Sequence, residues 1–298
     1  MSLRSVATSL VTIAVLGACA YGFAFSRLSN PRVRSPENSN GLLAFWDFGE
    51  ETGQDRVSQR GQYVYRLQEG HGPVKRVGEG VFGAHSAYLE RGQWFVANRN
   101  SVPGLNFRGR QSFTVVAWLK RMRKKDPQNC DFIAGMWDET AKTRQYALFI
   151  NLDRGSIAKE HHDADAYGYS DQVNGHTSNV GGPTPGYPYA TMASFSRSRV
   201  IFDQWQIAGV TYDGTALRSY LNGTFEARPK LNPYAAPEGI FHAEEGGSNF
   251  YVGANPVPYP GFAEGGFNGF YRGLIGGLAI YNRALPPEEM ASLSRNLP

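Results

Sequence analysis

The chain is poor in cysteine, poor in charge and poor in the residues that build helices. Only Cys19 and Cys130 occur in 298 residues. Once an N-terminal leader is set aside, the folded part has no internal disulfide available, so a packed core must hold it together. Cys130, between Asn129 and Asp131, reads as a partly buried small residue rather than a nucleophile. Charged residues make up 19% and the formal net charge is +4, a weak field for a chain of this size. The one dense basic cluster, Arg121, Arg123, Lys124 and Lys125, belongs to no nucleic-acid motif and reads as a solvated turn at a strand end. No nucleic-acid partner is expected. What is abundant instead is glycine, 35 residues, and aromatic side chains, 13%, the composition of turns and aromatic-rich strands. One large all-β domain is therefore expected, since β-sandwiches of about 200 to 250 residues often form a single unit.

Residues 1–25 carry one early charge, Arg4, followed by an uncharged, mostly apolar run, the pattern of an export leader. Three ways of processing it overlap. Leu16-Gly17-Ala18-Cys19 fits a bacterial lipobox with Cys19 as the lipidated residue; Ala18-Cys19-Ala20 fits ordinary cleavage after Ala20; the run also approaches the length of an uncleaved anchor. All three place the protein outside the cytoplasm, whether secreted, periplasmic or membrane-anchored, and limit any membrane contact to the leader or a lipid. Residues 26–40, rich in Ser, Pro, Asn and Arg, form a flexible tether. The domain occupies residues 41–298.

Alternation locates the strands. Residues 42–48, LLAFWDF, form a dense apolar strand followed by a loop, and Tyr63, Tyr65 and Leu67 alternate after it. In residues 112–120, Phe113, Val115, Ala117 and Leu119 share one face while Thr114, Val116, Trp118 and Lys120 share the other, which predicts a central strand. Tyr146, Leu148, Ile150 and Leu152 repeat the pattern. Residues 204–227, QWQIAGVTYDGTALRSYLNGTFEA, are cut by Asp213-Gly214 and Asn222-Gly223. Both dipeptides accept the positive φ of tight hairpin turns, so three consecutive antiparallel strands are expected. Farther on, Leu274, Leu278 and Ile280 alternate with Ile275, Ala279 and Tyr281, apolar on both faces as in a strand buried on both sides. Pro286, Pro287, Glu288 and Glu289 then open a short helix.

Several of these segments carry a family resemblance. The Trp-Asp-Phe of the opening strand before its Gly-rich turn, GVFGAHSAYL at 80–89, FTVVAWLK, the 204–227 block and the closing FNGFYRGLIGGLAIYNRAL at 267–285 together resemble laminin-G-like domains of the concanavalin A type. The resemblance covers roughly residues 41–293. It implies an antiparallel two-sheet β-sandwich with jelly-roll topology and a short C-terminal helix. It also implies non-catalytic binding of extracellular or cell-surface carbohydrate, with a protein-binding adhesion or scaffold module and a polysaccharide-degrading glycosidase or lyase as the alternatives. The Glu-x-Asp-x-x-Glu strand of laminarinase-type relatives is missing, and so are the motifs of alginate-lyase-type jelly rolls. Many relatives place Ca²⁺ at a loop rim, which makes Asp47 the metal candidate. Where relatives carry an Asp-Glu pair in the closing strand, this chain has Gly276-Gly277.

Residues 154–199 are polar, rich in Gly, Pro, His, Asp and Tyr, and read as a long inserted loop. Their densest cluster, His161, His162, Asp163 and Asp165 with Asp171 and His176 beyond, lacks the spacing of a zinc motif and reads as a hydrated polar loop. Sugar binding needs aromatic platforms and polar groups for hydroxyls. Trp46, Trp118 and Trp205 lie in expected strands and are assigned to the core. The ligand candidates are Trp137, Asp138, Tyr167, Tyr169, Tyr187, Tyr189 and Tyr259.

Overall fold

The computed structural model describes residues 36, 40–124, 130–151, 171–187, 189–242, 246–258, 266–295 and 297–298. In chain order they form β1 (Leu42–Trp46), β2 (Arg56–Val57), β3 (Arg66–His71), β4 (Lys75–Val77), β5 (Ser86–Leu89), β6 (Trp94–Ala97), β7 (Phe113–Arg121), β8 (Asp131–Met136) and β9 (Tyr146–Ile150). There follow β10 (Gln172–Thr177), β11 (Ala193–Arg199), β12 (Trp205–Tyr212), β13 (Ala216–Leu221), β14 (Thr224–Phe225) and β15 (Tyr234–Ala235). The last elements are β16 (Phe250–Val252), β17 (Asn255–Pro256), β18 (Phe267–Asn268), β19 (Gly273–Tyr281) and the helix α1 (Pro287–Leu293).

The strands assemble into two large antiparallel sheets. The first runs β14-β13-β12-β7-β19-β5-β4, with β1 added along β19 and β15 beside β13; the second runs β11-β10-β9-β8-β16-β6-β3-β2. β17 and β18 pair separately. The expected central strand β7 lies between β12 and β19, and its alternation sends Phe113, Val115, Ala117 and Leu119 into the space between the sheets. Tyr146, Leu148 and Ile150 of β9 meet them from the second sheet. Trp46 of β1 stacks on Phe250 of β16 across the interior at 6.1 Å, and burying each such ring contributes roughly 2 to 3 kcal/mol.

The outer face of the first sheet is apolar too. Val116, Trp118, Ile207 and Tyr220 are covered there by α1 and by Val81 and Phe82 of the preceding loop. The helix starts as its sequence dictates, with Pro286 as N-cap and Glu288 and Glu289 in the first turn. Arg283 forks onto Glu289 at 2.6 and 2.9 Å. Met290 is fully buried, and Gly209 leaves it room, since a Cβ there would lie 2.5 Å from Met290 Cε.

Three local expectations change. β19 carries a bulge between Ile275 and Gly277, so Ile275, not Leu274, shares the inner face with Leu278 and Ile280, while Leu274 joins Ala279 and Tyr281 outside. A bulge inserts one residue and reverses the alternation beyond it. The segment read as one long loop contains β10 and β11 as paired strands. Two of their inner positions bond across the sandwich: Ser194 Oγ lies 2.7 Å from Ser219 Oγ, and Gly175 N donates to that same Ser219 oxygen at 3.1 Å. Arg121, read as part of a solvated turn, is buried. Its Nε donates to Asp131 at 2.7 Å and its Nη1 to Asp171, with the guanidinium 4.8 Å over the Phe202 ring. Lys124 completes the charge balance on Asp131.

Candidate functional site

The outer face of the second sheet is lined with rings. Cross-strand pairing sets Gln68, Val96, Tyr251, Gly135, Ala147 and His176 side by side across six strands, β3, β6, β16, β8, β9 and β10. The two smallest residues of this row, Gly135 and Ala147, lie between Tyr251 and His176. On one flank, half-buried Trp94 stacks on half-buried Phe267 with ring centroids 4.0 Å apart, and Tyr251 meets Phe267 edge-on at 5.8 Å. Gly70 makes that stack possible, because a Cβ there would collide with Trp94 Nε1 at 1.9 Å. On the other flank Trp137 packs edge-on against Phe149 at 5.9 Å and His176 at 5.4 Å. Phe132 meets Phe149 edge-on at 5.1 Å.

Polar groups border the rings. Trp137 Nε1 donates to Glu139 Oε1 at 3.2 Å, Arg144 Nη2 donates to Glu139 Oε2 at 2.9 Å, and Asn255 Nδ2 reaches Glu139 Oε1 at 3.4 Å. Arg144 is buried, so Glu139 is the counter-charge its burial requires. Burial pushes the Tyr251 phenol above its ordinary value, the hydrogen bond from Asn249 pulls it back, and the charge of Asp138 adds to the rise. Tyr251, Asn249 and Asp138 therefore share one neighbourhood beside Trp137.

The expected site residues are divided by this geometry. Trp137 and Asp138 do lie on the aromatic face, but Trp137 is only 2% exposed, not an open platform. Its neighbours on β9 and β10 close over the ring. The carboxylate of Asp138 accepts from Ala141 N at 2.8 Å and its carbonyl from Thr143 N at 2.9 Å, an Asx-type turn. Tyr187 is exposed and Tyr189 half-buried in a loop that Thr184 ties together: Thr184 N donates to Tyr189 O at 2.9 Å, and Thr184 O accepts from Tyr187 N at 2.9 Å. Tyr187 lies near Tyr234. Tyr167, Tyr169, Tyr259, Cys19 and the cluster His161, His162, Asp163 and Asp165 lie outside the described residues. Asp47 is half-buried, and its Oδ1 accepts from Gly49 N at 3.1 Å. Among the described residues no group of three or more His, Cys, Asp or Glu converges.

Sequence reasoning missed Trp94, Tyr251 and Phe267 as members of the face and placed His176 in a hydrated polar loop. The signal was present for Trp94: in WFVA at 94–97, Phe95 and Ala97 face the core and send Trp94 and Val96 outward.

An antiparallel two-sheet sandwich, closed by a bulged strand and a short helix and lined with rings on one outer face, defines a jelly-roll domain. The chain belongs to the concanavalin A-like lectin/glucanase superfamily in its laminin G form, which its residues 97–291 match. Among solved structures it is similar to domain 4 of AbnA, a GH43 extracellular arabinanase from Geobacillus stearothermophilus in complex with arabinotriose. The TM-score is 0.53 at 16% identity, covering 87% of this chain and 100% of that one. It is also similar to the binding domain of botulinum neurotoxin DC in complex with rat synaptotagmin II, with a TM-score of 0.51, 10% identity and coverage of 87% and 52%. A botulinum neurotoxin type C structure, whose cell entry is described as dependent on two ganglioside molecules, matches with a TM-score of 0.51, 11% identity and the same coverage. The chain thus spans about half the length of the neurotoxin chains. At these identities the likeness establishes the fold. No curated protein matches the sequence.

Proposed function

We propose that this protein is an exported, non-catalytic carbohydrate-binding module whose sugar-facing surface is the outer face of the second sheet. The observation that carries this reading is the Trp94 and Phe267 stack, two half-buried rings 4.0 Å apart, one on β6 of the second sheet and one on β18 beside it. Such rings offer apolar faces to the C–H surfaces of sugars with little conformational entropy left to lose. Gln68 and Asn249 place amides near the rings for hydroxyl groups. Binding is favoured over hydrolysis because the nearby carboxylates already hold structural partners: Asp138 caps a turn and Glu139 neutralises Arg144. A glycosidase needs two carboxyl groups facing the scissile bond. Two structural relatives, one in complex with arabinotriose and one whose cell entry is described as dependent on gangliosides, support saccharides as the ligand class and make arabinotriose a first probe. Calcium enters no step of this reading.

The test is calorimetric titration with neutral oligosaccharides, arabinotriose first, alongside a reducing-end assay on the same samples. Trp94→Ala is expected to weaken binding about tenfold, the scale of one lost aromatic anchor. Unchanged affinity in both Trp94→Ala and Phe267→Ala would sink the surface assignment, and reducing ends released above the blank would sink the non-catalytic part. Export predicts that fractionation with intact mass measurement finds a lipid on Cys19, cleavage after Ala20, or a full-length chain held in the membrane fraction; an unprocessed chain in the cytoplasm contradicts it.

A further inference from the structure

We propose a second, independent binding site for a neutral saccharide in a cleft of about 670 Å³ on the opposite side of the molecule, at the outer face of the first sheet. It rests on the reading of the protein as a saccharide binder but uses none of the same residues.

The cleft is formed where β7 ends and β12 begins, against the loop at 78–84. Lys120 points outward there by the same alternation that sends Leu119 inward, and Trp205 lies on that face too. The Trp205 ring tip rests on Gly276, where a Cβ would be 2.8 Å from Cη2. Its Nε1 donates to Glu79 Oε1 at 3.1 Å, and Lys120 Nζ donates to the same oxygen at 2.8 Å. One wall is therefore fixed. Across from it, Asp203 adopts a left-handed backbone, φ 61°, and is anchored by its N–H on Arg121 O at 2.8 Å. The side chains of Asp203 and Gln204 are exposed, and no other described residue engages either one. A Cβ at Gly78 or Gly83 would meet nothing, so the backbone is open there as well.

The chemistry of these groups selects the ligand. Glu79 and Asp203 against Lys120 leave a surplus negative charge, which disfavours anionic sugars. Acceptors on Asp203 and Gln204 beside donors on Gln204 and Lys120 match hydroxyl groups, each of which both donates and accepts. The indole edge adds an apolar contact, and the volume falls in the range of small-ligand sites, about 300 to 1,000 Å³.

The test is titration of the full chain with arabinotriose and xylotriose. Asp203→Gly with Gln204→Ala removes both free side chains, and glycine keeps the positive φ without strain. The wild type is expected to bind two equivalents; the double variant is expected to bind one, with unchanged thermal unfolding, and Trp94→Ala to keep the affinity of one equivalent while the other weakens about tenfold. If Trp94→Ala titrates as wild type while the double variant loses binding, the cleft stands and the opposite face falls. A double variant that titrates as wild type overturns the cleft. So does a wild type that binds neither sugar, or one whose single equivalent Trp94→Ala abolishes.

Discussion

Arg121 lies in a run of basic residues, yet it is interior because the period of two that buries Leu119 buries residue 121 as well. That half was legible. Its partners Asp131 and Asp171, ten and fifty residues away, were not, because sequence spacing says nothing about which loop ends meet. The rings of the aromatic face pose the same problem: WFVA shows that Trp94 points opposite to Phe95, but not that Phe267 will lie against it. Asp213 is the opposite case, a residue whose role is local. Burial alone would raise its pKa, but hydrogen bonds from Arg218, Thr215 and Ala216 outweigh that and hold it at about 2, below the ordinary 3.8. A depressed value stabilises the fold above the ordinary value and loses that contribution as pH falls from about 4 to about 2. With the side chain 32% exposed, screening limits the contribution to about 1 kcal/mol. Asp213→Asn should cost about that much at pH 7 in urea titrations, and the gap to wild type should close near pH 2. A gap that persists there would assign the loss to geometry.

At the level of elements, turns were the most legible. Asn222 and Gly223 take φ values of 51° and 72°, the left-handed pair that a tight hairpin requires. β10 and β11 were not legible. QVNGHT and ASFSRSR resemble loop sequence because their inward serines and glycine replace apolar side chains with bonds to β13. The β19 bulge was hidden for another reason. Both faces of that strand are apolar, so a shifted alternation reads the same as an unshifted one. Gly276 and Gly277 have a packing role in this element. A Cβ at Gly277 would lie 2.5 Å from Phe82 Cε2 and 3.0 Å from Trp118 Cε3. Gly277→Asp, which supplies an acid of the kind relatives carry, should therefore destabilise the protein by about 3 kcal/mol, since it combines overpacking with a carboxylate among rings. Chemical denaturation checks this, and a loss below about 1 kcal/mol would show that Phe82 swings aside freely.

For the whole molecule, the sandwich was legible from alternation and turns, because those patterns report which faces are buried. The two outer faces were not, since what covers each of them is tertiary: α1 and Phe82 cover the first sheet, while the second leaves Trp94 and Phe267 half-buried and buries Phe132, Trp137, Phe149 and Tyr251. Connectivity has a further effect. In the first sheet β19 alone joins β7 to β5, and β1 pairs within that sheet with β19 alone. A chain ending at residue 272 is accordingly expected to show no cooperative thermal transition, as followed by circular dichroism; a sharp transition would mean that the remaining strands find another closure. During synthesis the same wiring acts as a clock. Until β19 is made, the first sheet exists only as two fragments with β1 attached to neither, so the order in which residues are added forbids a closed sandwich while the chain is still growing.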